Sequence, residues 1–128
     1  MTMGEAVRSV LGQYATFSGR ASRSEYWWWF VVLLLLNIAL RFVDGAVMAP
    51  LLGYEAFARE AGNPLGVLLA LGLLLPNLAV ACRRLHDTER SGWWLLIGII
   101  PIIGTLALLV LFALPGSSGE NRFGPQTT

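Results

Sequence analysis

An all-α integral membrane protein, with three transmembrane helices preceded by a short amphipathic interfacial helix, is the class this sequence predicts. Three observations carry the prediction. Hydrophobic residues fill 55% of 128 positions, and charged residues only 13%, about half the ~25% of a soluble domain. Mean hydropathy is +0.63. The few charges avoid residues 26–40, 65–81 and 93–114, runs near the ~20 residues a helix needs to cross a bilayer.

Residues 3–16 form the amphipathic helix. Met3, Ala6, Val7, Val10, Leu11 and Tyr14 recur at helical spacing, with Glu5, Arg8, Ser9 and Gln13 opposite. Ahead of a membrane span such a helix lies in the headgroup plane. The chain then breaks at Gly19, and Ser22-x-x-Glu25 reads as a capping box that starts the first span, residues 22–45. An uncleaved span fits better than a signal peptide, because the nearest small-residue cleavage pattern, Val47-Met48-Ala49, lies far from the start and precedes Pro50.

The second span, residues 64–84, opens with Asn63 as N-cap and Pro64 at the first helical position. Pro76 removes a backbone donor inside it and predicts a kink. Gly62, Gly66 and Ala70 set small residues four apart, a spacing that lets helices approach. The third span, residues 92–114, is 22 uncharged residues from Trp93 and would reach roughly 33 Å. Pro101 and Gly104 interrupt it near its middle, so a re-entrant hairpin is the alternative to a full crossing. Residues 115–128 form a polar tail.

Cytoplasmic flanks are enriched in basic residues. With three crossings, Arg8, Arg20, Arg23, Arg83, Arg84 and Arg90 share one side, against Arg41, Arg59 and Arg122. This puts the N-terminus and the 82–92 loop in the cytoplasm, and the tail at Ser117 outside.

The most informative stretch is "CRRLHDTERSGWW", residues 82–94. One histidine and one cysteine give no disulfide, no metal set and no nucleophile with a partner base. No catalysis, cofactor or metal is therefore expected. Arg20, Arg23 and Glu25 at the start of the first span should meet Arg83, Arg84, His86, Asp87 and Arg90 at the end of the second. Such a cluster can lock two antiparallel helices or hold an anionic lipid headgroup, since guanidinium forks suit both carboxylate and phosphate. Trp27, Trp28, Trp29, Trp93 and Trp94 are the expected interface anchors. Asn37, Arg41 and Asn77 are the intramembrane polar residues, which avoid lipid by facing one another or a neighbouring helix.

The blocks "FSGRASRSEYWWWF", "PNLAVACRRLHDTERSGWW" and "IPIIGTLALLVLFALPGSSGENRFGP" resemble, in order and spacing, the domain of unknown function 805. Glu89 departs from the pattern, which more usually has glycine before Arg-Ser-Gly-Trp-Trp. The resemblance covers most of the chain and implies a small multi-pass bacterial inner-membrane protein without an assigned activity. The expectation is a structural or regulatory scaffold; a small transporter or channel subunit is the alternative. Expected partners are membrane lipids, anionic ones included, and a membrane protein or second copy. At net charge +1 no global field draws nucleic acid.

Overall fold

A computed structural model describes residues 2–126. They form helices and turns, with no β-strand among the described residues beyond one isolated bridge, Asn121 to Gly124. The chain divides into two compact units. One joins the segment up to Trp29 with that from Leu75 onward; the other is Phe30–Leu74.

In the first unit, α1 (Met3–Gly12) starts with a reciprocal capping box between Thr2 and Glu5. Hydrogen bonds from Thr2 hold the Glu5 carboxyl below the usual carboxylate range. The helix is shorter than the 3–16 expected. Its apolar face is only partly covered: Ala6 and Val10 are fully buried, while Met3, Leu11 and Tyr14 are exposed.

Helix α2 (Arg23–Val43) begins where expected, and Ser22 Oγ accepts from Glu25 N at 3.2 Å. The return half of that capping box is replaced by contacts described below. The helix continues through a π-helical segment, Asp44–Met48, into α3 (Ala49–Leu51). The whole Arg23–Leu51 stretch is 29 residues long and apolar enough to cross a membrane, longer than the expected 22–45. The widened turn has a local cause. Pro50 supplies no N–H and its ring crowds the carbonyl four residues back, so the ladder re-forms with Ala49 N bonded to Asp44 O.

The expected second span is broken at Leu73 into α4 (Pro64–Gly72) and α5 (Leu74–Asp87). As a bent pair the two halves pass the same length and hydropathy test. The break falls three residues before Pro76, so the proline stands in the first turn of α5, where its missing donor costs nothing. Within the second unit, Asn63 is the N-cap by position but its side chain makes no capping bond. Asp44 caps α4 instead, its two oxygens accepting from Leu65 N at 2.9 Å and Gly66 N at 3.1 Å. Gly62 is outside the helix at φ 68°, so the Gly62, Gly66, Ala70 spacing is not one helical stripe.

The third segment departs most from expectation. A 3₁₀-helix, Gly92–Ile99, and α6 (Ile103–Ala113) replace the single helix over 92–114. They double back within the first unit. Gly92 lies against Cys82, while Phe112 O and Leu114 O, at the other end, accept from Arg84. Both ends therefore meet the C-terminal turns of α5. The reversal uses the interruption noted in the sequence. Pro101 cannot donate, Ile102 adopts φ 65° and ψ −65°, and Ile103 N bonds Pro101 O at 2.7 Å, a γ-turn. Leu95, Leu108, Leu111 and Phe112 pack the two arms onto Ala81, Leu85, Tyr26 and Trp27.

Gly104 is buried at this turn, and a Cβ there would fall on the Ile97 carbonyl. Gly104→Ala should destabilise the protein by about 1–3 kcal/mol through overpacking, read as a lower thermal midpoint in detergent. An unchanged midpoint would mean that the arms need not approach this closely.

Candidate functional site

The last turns of α5 carry Arg83, Arg84, His86 and Asp87, all buried. A helix end so charged can be buried only if nearly every donor and acceptor finds a partner, and the chain supplies them from distant segments. Asp87 stands between two arginines. Arg20 Nε donates to its Oδ1 at 2.8 Å, and Arg84 Nη1 donates to its Oδ2.

The remaining donors of both arginines go to backbone carbonyls. Arg20 Nη1 reaches Gly119 O at 2.7 Å and Gly124 O at 3.1 Å, and its Nη2 reaches Ser117 O at 2.7 Å. Arg84 Nε reaches Phe112 O at 2.8 Å, Nη1 reaches Ala21 O at 2.9 Å, and Nη2 reaches Leu114 O. In return Ser117 N donates to Asp87 O at 2.7 Å. Gly116 packs on the Asp87 carboxylate so closely that a Cβ would displace it. The tail expected to be a free polar segment on the far side is thus bound to the same helix end as Arg20.

A second pair lies beside the first. Arg83 Nη1 donates to Glu25 Oε1 at 2.9 Å, and Ser9 Oγ of α1 donates to the same oxygen at 2.7 Å. Glu25 therefore faces inward rather than closing the Ser22 box. Arg83 is 1% exposed, yet its Nε and Nη2 have no hydrogen-bond partner among the described residues.

The other predicted cluster members stand apart from these ion pairs. Arg23 makes one long contact to Ala113 O, at 3.5 Å. His86 Nδ1 pairs with Gly19 O at 2.9 Å, its Nε2 lies 3.5 Å from Cys82 Sγ, and its ring stacks on Phe123 at 3.9 Å. Arg90 bonds Thr88 O at 3.3 Å and lies over Trp94. Among the tryptophans, Trp28, Trp93 and Trp94 are exposed, and Trp27 packs on the core. Trp29 is the exception: it is buried, and its Nε1 donates to Asn77 Oδ1 at 2.7 Å. Asn37 donates back to Leu33 O of its own helix at 2.8 Å.

Sequence reasoning missed Ser9, Asp44, Phe123 and the tail carbonyls. Asp44 had a signal, as an acid in the apolar body of a long helix whose other acid, Glu25, stands in the first turn. Backbone carbonyls have none. Among the described residues no group of His, Cys, Asp and Glu could hold a metal ion.

The turn after Asp87 bears on the family pattern. Glu89 N bonds His86 O at 3.0 Å and Arg90 N bonds Leu85 O at 2.9 Å, the two bonds of a Schellman motif. Its left-handed position is Glu89, at φ 60°, where glycine is unstrained and any other residue is not. The family pattern for protein of unknown function (DUF805) matches residues 14–125, a range that holds this turn and both arginine clusters. The chain belongs to the DUF805 family. Two relatives from Escherichia coli K12, inner membrane proteins YhaI and YhaH, are each 43% identical over 116 residues. That span is 91% of this chain and 89% and 90% of theirs. A more distant relative from Escherichia coli K12, the uncharacterized protein YiiR, is 29% identical over 88% of this chain and 86% of its own. No solved structure matches.

Proposed function

We propose that the protein is a non-catalytic scaffold of the bacterial inner membrane, built from two crossings and a re-entrant hairpin and closed on its cytoplasmic side by an internal charge lock. One observation carries the lock: Asp87 is shared by Arg20 and Arg84, and every nitrogen of those two guanidiniums is bonded to Asp87 or to a carbonyl of the chain itself. Side chains so buried and so engaged offer little to a headgroup, so we read this cluster as holding helices and tail together rather than binding lipid. The named relatives support the membrane. Of the three polar side chains within the spans, Asn77 is occupied by Trp29 and Asn37 by its own helix.

The hairpin returns the tail to the side of Asp87. Seven of the nine basic residues, Arg8, Arg20, Arg23, Arg83, Arg84, Arg90 and Arg122, then share one face, and basic residues favour the cytoplasm. In a Cys82→Ala background, cysteines at Glu89 and Ser118 should resist an impermeant reagent applied outside intact cells and react after permeabilisation. A cysteine at Tyr54 should react from outside. Labelling of Ser118→Cys in intact cells would restore a third crossing. For the lock, Arg84→Gln should lower thermal stability without changing the acidic lipid retained by the folded fraction. Loss of that lipid at unchanged stability would transfer the cluster to headgroup binding.

A further inference from the structure

We propose that the second unit carries a separate binding site for a phosphate-ester anion, formed by Arg41 and Arg59 at the far end of the first span. A cavity of about 410 Å³ is lined by Arg41, Asp44, Phe57, Arg59 and Asn63 among others, within the ~300–1,000 Å³ of small-ligand pockets. Neither guanidinium makes a hydrogen bond or ion pair with any described residue. This contrasts with Arg20 and Arg84, each of whose guanidinium nitrogens is bonded. An arginine within a membrane helix pairs with something, and Arg41 finds no partner among the described residues.

The charges facing the cavity decide the ligand's sign. Asp44 is the acid among the lining residues, and it is buried with both oxygens committed to the first-turn amides of α4, so its charge is spent on a helix N-terminus. Two free guanidiniums against one satisfied carboxylate leave a net +1, which suits a singly charged phosphodiester. The Asn63 amide, which does not cap its helix, is a further donor at the rim. Phe57 is held at φ 61°, its N bonded to Gly45 O at 2.9 Å and its ring seated where Gly45 has no side chain. This places an aromatic face at the cavity wall, against which acyl or glycerol carbons can lie.

Position indicates the source. Arg41 comes 18 residues after Arg23, the start of α2, or roughly 27 Å along the helix. That is close to the ~30 Å thickness of the hydrocarbon core. Arg41 stands in the last turn of α2, within a stretch apolar enough to cross a membrane, so the anion is a phospholipid headgroup at the membrane surface. This source rests on the membrane reading above; the phosphate chemistry does not.

The full chain, purified in detergent, is titrated with phosphatidylglycerol, with phosphatidylcholine and with inorganic phosphate, and bound species are counted by native mass spectrometry. Phosphatidylglycerol should be retained over phosphatidylcholine. Arg59→Gln and Arg41→Gln should each weaken it by at least about tenfold, the loss of one charge-assisted hydrogen bond, while Arg23→Gln should not. Arg59 sits in an exposed turn, so Arg59→Gln alone carries the test if Arg41→Gln reduces yield. Binding of inorganic phosphate that is lost in the same two variants, without phosphatidylglycerol binding, would keep the site and change its source to a soluble anion. Equal retention of both anions by the parent and the two variants would overturn the proposal, as would a loss confined to Arg23→Gln.

Discussion

Asp87→Ala should cost about 3–5 kcal/mol, the range for removing one partner of a buried ion pair, which is a large share of a stability of roughly 5–15 kcal/mol. The cause is the charge left behind. Arg20 and Arg84, both buried, would face each other with carbonyl dipoles alone to offset two positive charges. Ser117 would keep its bond to the backbone of residue 87, so the tail should loosen rather than detach. The monodisperse fraction on size-exclusion in detergent should fall severalfold, and Asp87→Asn, which preserves shape and one acceptor, should fall less. A parent-like yield and midpoint for Asp87→Ala would show that water reaches the cluster, and the lock would have no energetic content.

Glu25→Ala should have a comparable effect for a sharper reason. Among the described residues Arg83 already leaves Nε and Nη2 without partners, and Glu25 accepts the side-chain bond that its Nη1 donates. The variant would bury a guanidinium with no acceptor and release Ser9 of α1 as well. A loss of about 3–5 kcal/mol is expected, with Glu25→Gln milder. The double variant Glu25→Ala, Arg83→Met removes both charges and should recover most of that loss, because replacing a buried pair by apolar groups is close to neutral. If the double variant is as unstable as the single one, the pair stabilises by shape and packing rather than by charge.

Much of this architecture is legible in residue order, and its limits are physical. The start of α2 is signalled by Ser22, whose cap acts within one turn, and that of α4 by Pro64 at its first position, although the carboxylate that caps it, Asp44, comes from earlier in the chain. The breaks at Pro76 and at Pro101 to Gly104 are likewise local. A break does not reveal which way the chain turns after it, so the reversal of residues 92–114 is not written in its composition; a straight helix is equally apolar. At the site, residue type identifies Arg20, Glu25, Arg83, Arg84 and Asp87 as groups that need partners. Their pairing depends on which helix ends meet, and the carbonyls of residues 112 to 124 carry no side-chain signature at all. Trp29 shows the same limit. Three adjacent tryptophans look alike in sequence, and only the helical rotation turns one of them inward onto Asn77.

The arginines that close the fold depend on carbonyls far along the chain. Arg84 bonds residues 28 and 30 positions later, and Arg20 bonds residues 97 to 104 positions later. At a synthesis rate of about 5–20 residues per second, Arg20 leaves the ribosome on the order of 5–20 s before its final acceptors exist. Over that interval its charge must stay hydrated at the membrane surface, which holds the first helix at a fixed depth while the second is inserted. A nascent chain stopped before Ser117 would therefore keep a hydrated, unsealed helix end open to proteolysis, and resistance should arise abruptly as the 117–124 segment is added.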